Sequence, residues 1–236
     1  MKKCVSCILM LLTSIFGISQ ELTGNELLQK SIAFHDPNGA WETFKGGFQI
    51  TMETTNSSDR ISKIHIDLPR EEFVLDVKKG NDSYAYLIEK DSCKISLNGD
   101  SDIPVVEKKR LRLSCERGNM MKNYYTYLYG LPMKLKDPGT IITQKIEKRT
   151  FKEKQYLVLK VNYTKEVGGD TWYFYFDPVT YAMEVYQFFH DENKNDGEYI
   201  LLQGLENINE IKMPKTRAWY YNKDDKYLGT DILSPN

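Results

Sequence analysis

The chain has 236 residues, 41% hydrophobic and 28% charged, an ordinary globular composition with room for one larger domain or two small ones. A formal net charge of −1 argues against a chain-wide nucleic-acid-binding surface and leaves room only for a local basic patch. Sixteen Tyr, ten Phe and three Trp point to strands and broad apolar faces.

Met1–Ser19 reads as a secretory signal peptide. Lys2 and Lys3 form a basic start, Val5 to Gly17 an apolar run, and Gly17-Ile18-Ser19 a small-residue cleavage site before Gln20. The apolar run is short of the roughly 20 residues a membrane span needs. Neither Cys4 nor Cys7 follows it, which does not fit a lipoprotein signal. Cleavage would leave 30 basic and 33 acidic residues, and a soluble exported protein.

Cleavage would also leave two cysteines, Cys93 and Cys115. In an exported chain such a pair reads as one disulfide, with two buried free thiols as the alternative. A metal site is disfavoured, because there is no Cys-x-x-Cys and no histidine near either cysteine in sequence.

Thr23 and Asn25 can each cap a helix carrying Leu27, Leu28, Ile32 and Phe34, which Asp36-Pro37-Asn38-Gly39 stops. From Gly46 to Asn98 the period is two. Phe48, Ile50 and Met52 alternate with polar residues. So do Ile64, Ile66 and Leu68, with Lys63, His65 and Asp67 on the wet side. Phe73, Leu75 and Val77 follow, then Tyr84, Tyr86 and Ile88, with short polar breaks between runs. This predicts an antiparallel meander with one face buried.

Val105 to Tyr129 changes register. Leu111, Cys115, Met121, Tyr124, Tyr125 and Leu128 recur at steps near three and four, which predicts a helical region, broken near Gly118 if it is two helices. Its second half is apolar nearly all round and so is expected to be buried on more than one side. Strands resume at Ile141–Lys148 and Tyr156–Tyr163 around a turn near Phe151-Lys152-Glu153. Tyr199–Leu205, Thr216–Tyr221 and Tyr227–Leu233 complete the expected sheet, with a polar hairpin at Asp191–Gly197 and a turn at Ile211–Pro214. No repeat or linker divides residues 20–236, which read as a single domain.

The stretch Gly168–Phe189 stands apart. Trp172, Phe174 and Phe176 share one strand face, Tyr173 and Tyr175 the other, so both faces should be covered. The apolar helix ending at Gly130-Leu131-Pro132 is the candidate cover. The space between helix and strand is either filled core or a hydrophobic cavity. A cavity would be lined by Tyr124, Tyr127, Leu128 and Leu131, with Trp172, Phe174 and Phe176 if that face looks inward, or Tyr173 and Tyr175 in the opposite register.

Catalytic patterns are weak. His35-Asp36 and His190-Asp191 look like a metal phosphohydrolase step without the further ligands such sites need, and read as chance pairs. Asn98-x-Asp100-x-Asp102 and Asp191-x-Asn193-x-Asn195 start like calcium loops but lack Gly at the sixth position and Glu at the twelfth. No nucleophile elbow, zinc-protease motif or phosphate loop occurs. No catalytic residue, metal or cofactor is expected.

Four segments carry a resemblance: Ile32–Phe44, Tyr125–Thr140, the strand pair DTWYFYFDPVTYAMEVYQFF, and Gly204–Asn222. Together they resemble an uncharacterised family of exported Bacteroidetes proteins, a domain of unknown function. More distantly, the order of helix, meander, helical insertion and long aromatic strands is similar to the LolA and LolB lipoprotein carriers. That likeness implies an α+β, mainly β fold: a curved antiparallel sheet or incomplete barrel, with an N-terminal helix and a helical insertion over one face. It further implies an exported, non-enzymatic binder of a lipid or acyl chain. An envelope interaction module with a filled core is the alternative, a hydrolase with a dispersed site a third. No position, Arg217 included, can be matched to the carriers' functional arginine.

Overall fold

The computed structural model describes residues 21–236; the signal-peptide reading of Met1–Ser19 lies outside the described residues. Helix α1 (Gly24–His35) begins in a reciprocal capping box. The Thr23 hydroxyl accepts the Glu26 N–H, and the Glu26 carboxylate accepts the Thr23 N–H at 2.8 Å. Beyond the helix, the Asp36 carboxylate accepts the N–H groups of Ala40 and Trp41 at 2.7 and 3.0 Å and fixes the turn that follows.

Five strands then form the expected meander: β1 (Lys45–Thr54), β2 (Ser57–Asp67), β3 (Glu72–Lys79), β4 (Asp82–Glu89) and β5 (Ser92–Leu97). After the helices α2 (Val105–Leu111) and α3 (Cys115–Tyr129) come β6 (Thr140–Ile142), β7 (Glu147–Phe151), β8 (Lys154–Tyr163), β9 (Thr171–Phe176) and β10 (Met183–Phe189). The chain ends with β11 (Glu198–Ile208), β12 (Ile211–Tyr221) and β13 (Tyr227–Pro235). Among the described residues these make one antiparallel sheet in the order β5-β4-β3-β2-β1-β13-β12-β11-β10-β9-β8-β6, with β7 also paired to β8. The sequence-distant pair β1–β13 joins the two halves, while β5 and β6 end the sheet unpaired to each other. The result is a curved, open, half-barrel-like sheet.

Alternation places Phe48, Ile50, Ile64, Ile66, Phe73, Leu75, Tyr86, Leu159, Val161, Phe174 and Phe176 in one core on the concave face. Helix α3 lies across this face. Its Tyr129 ring sits 5.0 Å from Phe48, and its Tyr125 hydroxyl donates to Ser62 Oγ at 3.1 Å. The opposite face of β9 carries a smaller buried cluster of Tyr156, Val158, Tyr173, Tyr175 and Val185. Phe151 of β7 covers it, 5.2 Å from the Tyr175 ring, and the Arg149 guanidinium lies 4.1 Å from the centre of Tyr173. Both faces of the aromatic strand are therefore covered, one by a helix and one by the curling β7–β8 hairpin.

Three sequence expectations are corrected. The helical region is two helices, but the break falls at Arg112–Ser114, not at Gly118. Arg112 takes a left-handed conformation (φ 55°), and Ser114 caps α3 by accepting the Arg117 N–H at 3.1 Å. Gly118 lies inside α3, where the missing side chain lets the helix close onto Tyr86. Ile211–Pro214 is strand, not turn: the reversal is at Asn209-Glu210, both with positive φ, and Pro214 pairs with Leu205. Asp67 is 2% exposed, not on the wet face, because Lys45 reaches its carboxylate at 3.2 Å and the Arg70 N–H donates to it.

The disulfide between Cys93 and Cys115 is present and ties β5 to the first turn of α3, with Cα atoms 5.8 Å apart. No helix among the described residues is long and apolar enough to cross a membrane.

Candidate functional site

Along the C-terminal end of α3 the concavity is filled. Leu128, Tyr125 and Tyr129 occupy it, and Leu131 follows just beyond the helix end. Towards β8 and β9 the space beside the helix is open, a cavity of about 590 Å³. Asn123, Thr126 and Tyr127 form its helix wall, spaced three and four residues apart on one face of α3, with Lys122 beside them. Tyr163 of β8 and Trp172 of β9 form the sheet wall, and the loop between these strands adds Val167, Gly168 and Asp170. Lys134 and Asp137 close the far side.

The floor is aromatic. Tyr127 meets Trp172 edge to face at 5.8 Å, and Trp172 stacks on Phe188 at 4.9 Å. The Tyr127 and Tyr163 hydroxyls are hydrogen-bonded to each other. Burial holds both phenols neutral, Tyr127 well above its ordinary pKa and Tyr163 pushed up to about 12. The rim is polar and, apart from Lys122, largely paired internally. Lys134 pairs with Asp137, and His190 Nδ1 bonds Asp170 at 2.7 Å, which raises the histidine's pKa. His190 thus pairs with Asp170 across the β9–β10 hairpin and not with Asp191, its neighbour in sequence.

The sequence profile described as "Family of unknown function (DUF6503)" matches residues 3–236. This chain belongs to DUF6503. No curated protein matches it. Solved structures similar to this DUF6503 chain are remote in sequence. A domain assigned to outer membrane lipoprotein sorting, from Vibrio parahaemolyticus, is 11% identical with a TM-score of 0.51, covering 89% of this chain and 91% of that one. A DUF1329 family protein from Desulfovibrio piger is 8% identical with a TM-score of 0.50 and the same coverage. A LolA superfamily protein from Nitrosomonas europaea is 10% identical with a TM-score of 0.49, covering 90% and 92%. The DUF6503 chain shares its fold with the Vibrio lipoprotein-sorting domain.

Of the residues chosen from sequence, Tyr127 and Trp172 line the cavity. Phe174, Phe176, Leu128 and Leu131 are core residues, at most 3% exposed. Tyr124 points elsewhere and stacks on Trp219, ring centres 6.5 Å apart. The polar wall, from Lys122 and Asn123 through Thr126 to Lys134, Asp137 and Asp170, was missed. The Asn123–Thr126–Tyr127 spacing was a legible helix face, whereas the arrival of Asp137 and Asp170 beside it depends on the fold alone.

A second polar group lies at the centre of the sheet, under α3. Arg217 (1% exposed) and Asp231 (2%) are opposite each other on β12 and β13, and Met52 stands between Asp231 and Arg60 in the same row. Trp219 Nε1 donates to Asp231 Oδ2 at 3.3 Å, and Arg217 Nη1 donates to the Pro214 carbonyl at 2.9 Å. The hydroxyls of Tyr129 and Tyr186 are buried against this row without a protein partner. Among the described residues no group of three or more His, Cys, Asp and Glu is gathered to hold a metal.

Proposed function

We propose that this chain is an exported, non-enzymatic protein, one domain after cleavage near Ser19, that binds a lipid or acyl chain in the cavity between α3 and β9. The observation that carries this reading is the aromatic floor: Tyr127 and Trp172 face an open volume of about 590 Å³, in the size range of small-molecule sites. Each methylene laid against that floor contributes about 0.8 kcal/mol before ordering costs. Most titratable groups around the cavity are paired with one another, Lys134 with Asp137 and His190 with Asp170, and Lys122 alone is left to meet an anionic headgroup. The fold shared with the Vibrio domain assigned to lipoprotein sorting supports the ligand class. The disulfide supports export.

The filled centre of the concavity, with Phe174 and Phe176 fully buried, favours a second reading as an envelope interaction module in which the aromatics serve only as core. Native mass spectrometry of protein purified from its own envelope separates the two. A retained lipid mass that is lost in Trp172→Ala supports binding. Protein that is ligand-free and also fails to bind a fluorescent fatty acid supports the module and rejects the cavity reading.

A further inference from the structure

Helix α2 has seven residues, and none of them is buried. Val105 and Val106, in its first turn, are 68% and 67% exposed. Lys108, Lys109 and Arg112 follow and are exposed as well. Val105, Lys108 and Lys109 share one side of the helix at i, i+3 and i+4. The segment Pro104–Asn123 holds six basic residues and two acidic ones, in a chain whose formal charge is −1. Arg110 is committed to Asp82 and Glu107, both at 2.6 Å. Lys108, Lys109 and Arg112 have no carboxylate within ion-pair distance among the described residues. Burying the valines inside the protein would have stabilised the fold; the structure instead presents them to solvent beside unpaired cations.

We propose that the α2 face docks on an anionic lipid bilayer, with Val105 and Val106 entering the headgroup boundary and Lys108, Lys109 and Arg112 meeting lipid phosphates. Charge complementarity decides the occupant. Lys108 and Lys109 are flexible point charges that follow a fluid surface, and the exposed Val105 and Val106 beside them suit a boundary that is apolar just beneath its charges, which a fixed carboxylate on a protein partner does not offer. Helix α2 leads through Arg112–Ser114 directly into α3, which supplies Lys122, Asn123, Thr126 and Tyr127 to the cavity wall. Docking on α2 would thus set the cavity-bearing helix against the membrane. The proposal stands apart from cavity occupancy, since vesicle partition and ligand retention are measured separately.

The test is sedimentation of the full mature chain with phosphatidylglycerol/phosphatidylcholine vesicles and with pure phosphatidylcholine vesicles, at 50 and 500 mM salt. Binding is expected on the anionic vesicles alone and should weaken at high salt. Each cation near an anionic surface contributes about fivefold in partition, so K108Q/K109Q/R112Q should lower it on the order of 100-fold. V105S/V106S should lower it on the order of tenfold. K63Q/K78Q/K79Q removes the same charge from exposed meander positions and should leave partition within about twofold. Wild-type protein that ignores anionic vesicles overturns the proposal and leaves an acidic protein as the occupant of this face. Equal losses in the α2 and meander variants, or equal binding to neutral vesicles, also overturn it.

Discussion

The guanidinium of Arg217 lies 3.9 Å from the centre of the Tyr129 ring, so a buried cation of β12 is capped by the helix that crosses the sheet. Across the sheet, Arg60, Met52, Asp231 and Arg217 form one row on the face under α3. One carboxylate thus shares its row with two cations. Burial raises the pKa of Asp231, and Arg60 and Arg217 oppose that rise.

This charge count predicts unequal costs for removing its members. Asp231→Asn leaves the buried Arg217 and the half-buried Arg60 without the carboxylate of their row and should cost roughly 3–5 kcal/mol, the usual penalty for an uncompensated buried charge. Arg217→Met leaves Arg60 balanced by Asp231 and fills similar volume, so its cost should be about 1 kcal/mol or less. Urea denaturation of both variants checks the order. The reverse order would mean that Asp231 is held protonated and balances neither arginine.

Gly118 gives a prediction against helix propensity. In an open helix, Gly to Ala adds up to about 1 kcal/mol of stability. Here the added Cβ would lie 2.7 Å from Tyr86 Cδ1 and 3.3 Å from Ile88 Cδ1, and Tyr86 is only 1% exposed. Gly118→Ala should therefore destabilise by roughly 1–3 kcal/mol in a thermal or urea melt. A stabilised variant would show that α3 is free to lift from β4.

The same glycine shows where the sequence was legible and where it was not. The alternation of Phe48–Ile50, Ile64–Ile66 and Phe73–Val77 is a local pattern imposed by the pleat, and it located the meander and its buried face. The two-sided aromatic run Trp172–Phe176 correctly demanded two covers. A glycine mid-helix, by contrast, reads as a break unless the partner that needs the space is known, and Tyr86 is more than thirty positions away. The reach of Lys45 to Asp67 is equally non-local. So is the cavity, whose walls come from α3, the β8–β9 loop and the segment before β6. The spacing of Tyr127 and Leu128 gave no way to tell which faced space and which faced core.

The Cys93–Cys115 bridge closes a loop of sequence separation 22 and holds the α2–α3 unit to the edge strand β5. In the chain-entropy model such a loop is worth roughly 3 kcal/mol. The Cys93→Ser/Cys115→Ser variant should lose about that much in urea, and α2 amides should exchange with deuterium faster than those of the meander. Unchanged exchange in α2 would show that Arg110–Asp82 pinning suffices.

His35 predicts an acid sensitivity. Its ring is fully buried, with Nδ1 donating to the Lys212 carbonyl at 2.6 Å and Nε2 accepting the Met183 N–H at 3.0 Å. An imidazolium would lose the second bond, and burial brings the pKa down to about 4 from an ordinary 6.5. The unfolded chain therefore binds this proton first. The stabilisation from neutral His35 is complete above pH 6.5 and is lost as pH falls from 6.5 towards 4. The full loss is roughly 3 kcal/mol. Urea melts at pH 7.5, 6, 5 and 4 should show this slope, and His35→Gln should flatten it. An unchanged slope in the variant would place the sensitivity in other groups.

The division of the aromatic region into floor and core predicts two classes of variant. Thr126 lines the cavity on the α3 wall, and a tryptophan there would occupy the space against Trp172 that a ligand needs. Thr126→Trp should therefore abolish binding of a fluorescent fatty acid while leaving the thermal midpoint within a few degrees of wild type. Leu128, two positions on and 3% exposed, faces the core instead. Leu128→Ala should cost about 2–5 kcal/mol in stability through the void it leaves, yet bind the probe normally at a temperature where it is folded. If Thr126→Trp binds as well as wild type while Leu128→Ala does not, the ligand enters the centre of the concavity by displacing α3, and the rim cavity is not the site.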